Sequence, residues 1–411
     1  MKFTSALRQP TRRFLEKMEQ AEIVIGIPCF NNQNTIAHVV KTVEEGIASH
    51  YPEMKTLVMI ADGGSVDDSR EEAEAVEKNP WTELLITIYR GVPGKGSAIR
   101  AIFEAAHILG AKAVVLFDAD LRSINTSWIK QMVDPILKQR FDFVAPLYKR
   151  YKYDGTITNN IVYSLTRALY GYQVRQPIGG DFAFSNRLIK EYIFQDVWET
   201  DVGRFGVDIW LTTEAMVGGY NLCQANLGVK IHDEKDPAQS LGPMFQQVVN
   251  TLFTLMEKNQ ENWKNVKGSQ PVPIVGPEIN IEPQAFNIST DKLITDFKVG
   301  FTHYDAFWQK VLSPENFKVF QHLTNKTFKD FILPTEVWVK SLYDIAATYH
   351  HWEADRKLLV QLMTPLYFAR IASFVNETQD MSNDEAEQKV QEQAVLFEEL
   401  KPYLIEKWNS H

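Results

Sequence analysis

The sequence predicts an α/β protein: a doubly wound, mainly parallel sheet followed by a mainly helical C-terminal region. Three observations predict it. Strand-like and helix-like segments alternate four times between residues 23 and 120, which is the pattern of consecutive βαβ units. The polar or glycine-rich segments PCFNN, DGGS, GVPGKG and DAD each follow a strand-like run, so they collect on one edge of such a sheet. Beyond residue 300 the chain turns helical and rich in Trp, Tyr and Phe.

The elements follow in order. IVIGIP (23–28) is a β-branched run ending at Pro28 and reads as a buried strand. TIAHVVKTVEEGIA (35–48) has apolar residues at helical spacing, and TLVMIA (56–61) is the next strand, ending at Asp62. A charged helix over 66–78 leads to the strand LLITIY (84–89). SAIRAIFEAAHILG (97–110) is a helix closed by Gly110, and AVVLFDAD (113–120) is the fourth strand. Between 141 and 256 the pattern is mixed: YSLTRALYGY and VDIWLTTEAMVGG read as helices, GGDFAFS as a turn into a strand. The stretch 267–284 holds four prolines and two glycines and reads as a linker or surface wrap. PLYFARIASFV and DEAEQKVQEQAVLFEELKPYL are amphipathic helices. The division expected is an N-terminal extension (1–20), an α/β domain (21–256), a linker (257–299) and a helical domain (300–411).

Composition narrows the class. A chain of 411 residues, 45% hydrophobic and 23% charged, has the balance of a soluble protein with more than one core. Its formal net charge of −9, with no Lys/Arg-rich block, argues against a nucleic-acid binder. Cys29 and Cys223 are far apart and outside any CxxC pair, so neither a disulfide framework nor a thiolate zinc site is expected, and a reducing cytoplasm fits. The basic N-terminal twenty residues lack an apolar core, so no signal peptide is read. No run of about 18 apolar residues is found, so no membrane span is expected. The aromatic helical region over 300–411 suggests a homo-oligomer interface, or a cover over the acceptor side, with Arg370 as the polar residue to test there.

Several pieces bear chemistry. Asp118 and Asp120, two apart at a strand end, would share a face and suit a hard divalent cation. GVPGKGSAIR has three glycines and Lys95 before a helix N-terminus, like a phosphate cradle, yet lacks a GxxxxGK[ST] or GxGxxG pattern. Asp62 in DGGS has the chemistry to accept from a nucleobase amide, and is equally plain turn chemistry. His232 suits Mn²⁺ as a ligand, or else is structural. Gly179 and Gly180 in QPIGGDF would let a bulky ligand approach the backbone. Asp208 is an acid inside the apolar run FGVDIWL. His350 and His351 read as surface or packing residues.

Together, in this order, these segments resemble the GT-A fold of nucleotide-sugar glycosyltransferases. The resemblance is closer to its retaining members, the glucosyl-3-phosphoglycerate and mannosylglycerate synthases, through PGKGSA, RQPIGGDFAFS, YGYQ, GVDIWLT, QANLGVKIHD and LGPMFQQVVNTL. It spans about 21–256. The resemblance implies that Asp120 and His232 bind Mg²⁺ or Mn²⁺ and that Asp118 lies near the ribose or diphosphate. It implies that Asp62 and the backbone of Pro28, Cys29 and Phe30 hold the base of a GDP-, UDP- or ADP-hexose, and that Lys95 holds the nucleotide. Gly179, Gly180 and Asp181 would line the sugar pocket, with Asp208 near the reacting centre. Two positions depart from the family: Asn32 stands where an acid often contacts the ribose, and Asp181 where the family has Glu. The stretch RYKYDGTIT (150–158) resembles the acceptor loop. Its Thr156, after Gly155, replaces the Arg of the phosphoglycerate-using enzymes, and Glu234 replaces an Asn near the same phosphate. Arg150, Asp154 and Thr158 match the mannosylglycerate spacing. The expectation is retaining transfer of a hexose, glucose favoured, to D-glycerate. The alternatives are transfer to 3-phosphoglycerate, mannosyl transfer to glycerate, an inverting polysaccharide or polyprenyl-phosphate transferase, and a non-catalytic scaffold.

Overall fold

The computed structural model describes residues 5–231, 237–279 and 281–410, with only the helical backbone over 237–241. The chain groups into two compact units. The first holds the described residues of Met1–Lys149, Val174–Glu234 and Val272–Pro283; the second holds those of Arg150–Gln173, Lys235–Pro271 and Gln284–His411.

The strands are β1 (Ile23–Cys29), β2 (Thr56–Asp62), β3 (Thr82–Ile88), β4 (Ala113–Leu116), β5 (Phe143–Lys149), β6 (Tyr172–Gln173), β7 (Phe182–Ser185), β8 (Leu222–Val229), β9 (Gln270–Pro271) and β10 (Ile274–Val275). Eight of them form the sheet of the first unit in the order β10-β8-β5-β7-β4-β1-β2-β3. Only β7 runs antiparallel, between β4 and β5. Cys29, Asp62 and Ile88 stand level across β1, β2 and β3, so the segments after these strands share one edge. Ile23, Ile25, Ile27, Val58, Ile60 and Val115 form one buried cluster beneath that edge with the helix residues Val39, Val43 and Trp128. Large aliphatic side chains fill both faces, which is why the runs read as continuous rather than alternating.

The boundaries of the elements shift from the sequence reading in instructive ways. β4 stops at Leu116, so Asp118 and Asp120 lie in the turn beyond it, not on one face of a strand. The charged helix shrinks to Ser69–Glu74. The expected N-terminal extension is part of the first unit: the Ala6 amide donates to Glu104 at 3.0 Å, the Ala6 carbonyl accepts from the Arg90 amide at 2.8 Å, and the helix Gln9–Met18 buries Leu15 and Met18. The expected linker 257–299 is divided between the units. Its proline-rich part lays β10 beside β8, and its end already belongs to the helix Thr290–Val311. A two-residue edge strand leaves no periodicity to read, and its prolines resemble a spacer.

The second unit is mainly helical, with the small β6–β9 pair. Trp308, Trp338, Tyr343, Tyr367 and Trp408 are all buried. Arg370 is buried too, ion-paired with Glu377 at 3.0 Å. Burial lowers its pKa and the Glu377 carboxylate opposes that shift. His350 stacks on Trp408 at 4.3 Å, as a packing residue. Among the described residues, one helical stretch, Arg356–Thr378, is long and apolar enough to cross a membrane by length and composition; 67% of its apolar window is buried inside the protein.

Candidate active site

The carboxyl edge of the first unit's sheet carries a dense ionic cluster. Lys95 opens the helix Lys95–Ile108, where Gly94 at φ 157° turns the chain into the first helical residue. Its ammonium donates to Asp118 Oδ1 at 2.8 Å and lies 3.4 Å from Asp208 Oδ2. Lys230, just past β8, donates to Asp118 Oδ2 at 2.9 Å, to Asp181 Oδ2 at 2.8 Å and to the Gly179 carbonyl at 3.0 Å. Asp181 accepts from the Asp118 amide at 2.8 Å and also from the Tyr148 hydroxyl. Two ammoniums therefore share one carboxylate, and three carboxylates surround two ammoniums.

The electrostatics follow from that count. Burial would raise the Asp118 carboxyl, but the Lys230 and Lys95 ammoniums hold it well below the usual carboxylate range. Asp181 and Asp208 move upward, chiefly through burial, with the charge of Asp118 adding to it; their lysine partners only oppose the shift. Lys95 moves upward because Asp118 and Asp208 outweigh its burial. Asp208 sits in the first turn of the helix Val207–Val217, and its Oδ1 is buried without a hydrogen-bond partner.

The paired glycines serve the cluster itself. A Cβ on Gly180, at φ 91°, would stand 2.2 Å from Asp118 Oδ2, and one on Gly179 would stand 2.3 Å from Pro146 Cγ. The close approach expected of a ligand is here made by Asp118 and β5. Asp181 is fully buried with both oxygens engaged, so it props the Gly179–Gly180 turn and Lys230 rather than facing an open pocket.

The segments after β1 and β2 interlock. Asp62 is fully buried and accepts from the amides of Gly64 and Ser65 at 3.1 Å, so its oxygens stabilise their own turn. Asn32 accepts from the Phe30 amide at 3.0 Å in the same manner. Gly63 donates to the Cys29 carbonyl at 2.8 Å. Phe30 is 60% exposed, and a Cβ on Gly63 would meet its ring at 3.2 Å and the Tyr89 hydroxyl at 3.4 Å. Pro28 continues β1 into this turn. Burial, with Asp62 beside it, pushes the Cys29 thiol up to about 12.

Asp120 is half-buried in the turn after β4. Two and three residues further on, the Arg122 amide donates to the Ile231 carbonyl at 2.8 Å and Ser123 Oγ accepts from the Ile231 amide at 2.9 Å. His232 and Glu234 lie outside the described residues. Among the described residues, no group of three or more His, Cys, Asp or Glu side chains could hold a metal ion. The sequence reading missed Lys230 and Tyr148. A lysine in the apolar run GVKIH was a signal for the first, since buried lysines need partners; nothing marked the second.

The residues read as the acceptor loop belong to the second unit. Arg150 Nε lies 3.6 Å from Asp154 Oδ2. Gly155 has φ 68°, and a Cβ there would stand 2.9 Å from Arg150 Nη1. Thr156 is buried, bonded to the Tyr367 hydroxyl at 2.8 Å. Thr158, also buried, begins the π-helical turn Thr158–Val162.

Comparison with known proteins adds the following. The chain is similar to glucosyl-3-phosphoglycerate synthase from Mycobacterium tuberculosis in complex with Mg²⁺ and uridine diphosphate. That similarity has 23% identity and a TM-score of 0.46, over 59% of this chain and 83% of that one. The same enzyme in complex with phosphoglyceric acid gives 22% identity and a TM-score of 0.43, over 61% and 86%. No curated protein sequence matches the chain. The family model of glycosyl transferase family 2 matches residues 24–198. That match spans the sheet edge and most of the ionic cluster described above, and residues 24–198 form a glycosyl transferase family 2 domain within a GT-A, Rossmann-like fold.

Proposed function

We propose that the protein is a divalent-cation-dependent hexosyltransferase that moves a hexose, glucose favoured, from a nucleotide diphosphate sugar to D-glycerate with retention of configuration. The observation that carries this reading is the lysine pair on Asp118. When the glycosidic bond to the diphosphate breaks, negative charge develops on the leaving oxygen, and fixed ammoniums beside it lower the barrier. Lys95 and Lys230 are held in place by Asp118, Asp181 and the Gly179 carbonyl, at 2.8–3.0 Å. With three carboxylates to two ammoniums, the cluster repels a diphosphate unless a further cation accompanies it.

The residues present suit that cation. Asp120 offers a carboxylate in the turn after β4, and His232 is proposed as the second ligand on the sequence resemblance; a carboxylate with an imidazole suits Mn²⁺ better than Mg²⁺. When bound, the cation supplies charge neutralisation for the diphosphate. Asp208 holds Lys95 from the other side, and its unbonded Oδ1 is available to a hydroxyl of the sugar or acceptor. Exposed Phe30 offers a face to the base.

Arg150 and Asp154, side by side, can take the carboxylate and a hydroxyl of glycerate. Thr156 is engaged by Tyr367, so it adds no cation for an acceptor phosphate. The buried free thiols of Cys29 and Cys223 fit a cytoplasmic setting; a homo-oligomer remains part of the proposal, checked by sedimentation. The test of the acceptor is steady-state kinetics with D-glycerate and 3-phosphoglycerate side by side, with product NMR for the anomer. Higher kcat/KM for D-glycerate supports the reading. Higher kcat/KM for 3-phosphoglycerate, or an inverted product, overturns it.

A further inference from the structure

We infer that Lys152 and Tyr367 are positioning residues that fix the loop 150–158 and thereby set affinity for the acceptor. The inference rests on the reading of that loop as the acceptor-binding segment. Residues 150–157 have almost no regular structure of their own, so their geometry must come from what they are tied to.

The ties on one side of Gly155 begin with Lys152. The helix Thr364–Thr378 ends beside it, and the last carbonyls of a helix lack partners within the helix; that of Thr378 also accepts from the Met381 amide at 3.0 Å. The Lys152 ammonium donates to the carbonyls of Thr378 at 2.7 Å, Gln379 at 3.0 Å and Met381 at 2.7 Å. That uses all three of its hydrogens and places its charge at the negative end of the helix. The Lys152 amide donates to Asn383 Oδ1 at 3.1 Å, in the first turn of the next helix. Tyr153 packs into an apolar cluster with Phe374, Val390 and Ala394.

The ties on the other side centre on Tyr367. Its hydroxyl lies 2.8 Å from Thr156 Oγ1, and its ring stacks on Phe245 at 4.5 Å, which fixes its direction. Trp338 Nε1 donates to the Asn160 carbonyl at 2.8 Å, and Gln393 donates to the Asn159 carbonyl at 2.9 Å. Between these anchors the chain turns at Gly155, against which the Arg150 guanidinium lies. A planar guanidinium binds a carboxylate well only in a narrow range of orientations. Misplacement by about 1 Å is enough to weaken such a contact strongly. The helical region thus acts on the acceptor through the loop it holds, without any of its side chains having to touch the acceptor.

The test uses the full chain with UDP-glucose, Mn²⁺ and D-glycerate, comparing Lys152→Met, Lys152→Arg, Tyr367→Phe and Arg150→Ala. Hydrogen–deuterium exchange is read over residues 150–160 and 24–120. Lys152→Met should raise the D-glycerate KM about tenfold and Tyr367→Phe about fivefold, the effect of losing one ordinary hydrogen bond or somewhat more. Both should leave the UDP-glucose KM and kcat within about twofold, the limit of a pure acceptor effect. Lys152→Arg should restore much of the loss, and exchange should quicken over 150–160 alone. If Arg150→Ala raises the D-glycerate KM while Lys152→Met and Tyr367→Phe leave it unchanged, the positioning role is wrong and the acceptor loop stands. If Arg150→Ala changes nothing either, the loop reading fails and the inference falls with it. A parallel rise in the UDP-glucose KM would show a general loss of structure and overturn it as well.

Discussion

The protein holds its polar residues in two different ways. In the first unit, Lys95, Lys230, Asp118, Asp181 and Asp208 are bound to one another by charge, with little water around them. In the second, the loop 150–158 is held by neutral hydrogen bonds and by one lysine capping helix carbonyls. The lysines make the contrast plain. Lys230 is buried among carboxylates. Lys401 is buried against the carbonyls of Ala168 and Val266, at 2.8 Å each, and its pKa falls to about 8 because burial outweighs the distant pull of Glu398. A charge cluster is costly to break because what remains is an unpaired buried charge. A carbonyl-capping lysine leaves only dipoles behind.

That difference orders the expected effects of mutation. Lys230→Met should be the most damaging change, costing about 3–5 kcal/mol of stability, since Asp181 loses its ammonium; denaturant unfolding checks it, and a loss under about 1 kcal/mol would break the contrast. Gly180→Ala comes next. It combines a positive φ with a Cβ 2.2 Å from Asp118 Oδ2, and should cost about 1–3 kcal/mol of stability along with most of the turnover. Thr156→Val should cost only about 1 kcal/mol, as one lost neutral hydrogen bond does, and should leave the UDP-glucose KM alone. The smallest effect concerns pH. Folding lowers the Lys401 pKa, so between about 8 and its ordinary 10.5 the unfolded chain binds more protons than the folded one. Stability should therefore rise with pH across that window in the wild type relative to Lys401→Met. An identical pH profile for the two would remove Lys401 from the account.

Much of the first unit was legible in the sequence because its strands are long apolar runs and its turns are rich in Gly, Asp and Asn. The four segments at the carboxyl edge were read correctly as belonging together. The turn geometry was not legible. The spacing of Asp118 and Asp120 puts them on a strand, but β4 ends at Leu116 and both carboxylates lie half-buried beyond it, where Asp118 joins the lysines. Lys230 escaped because nothing local reveals which carboxylates will meet a lysine more than 100 residues downstream of Asp118. The anchoring of the loop 150–158 was equally invisible, since its partners Thr378, Met381 and Tyr367 lie more than 200 residues away.

The central claim is that the ionic cluster receives a nucleoside diphosphate only together with a divalent cation held by Asp120. Calorimetric titration of the full protein with UDP, GDP and ADP, each with Mn²⁺ or with EDTA, tests it most directly, repeated on Asp120→Ala and Lys230→Met. The account predicts that one of the three binds at least about tenfold tighter with Mn²⁺ than with EDTA, that Asp120→Ala abolishes this gain, and that Lys230→Met weakens binding under both conditions. Equal affinity with Mn²⁺ and with EDTA in the wild type, or an undiminished Mn²⁺ gain in Asp120→Ala, would contradict it.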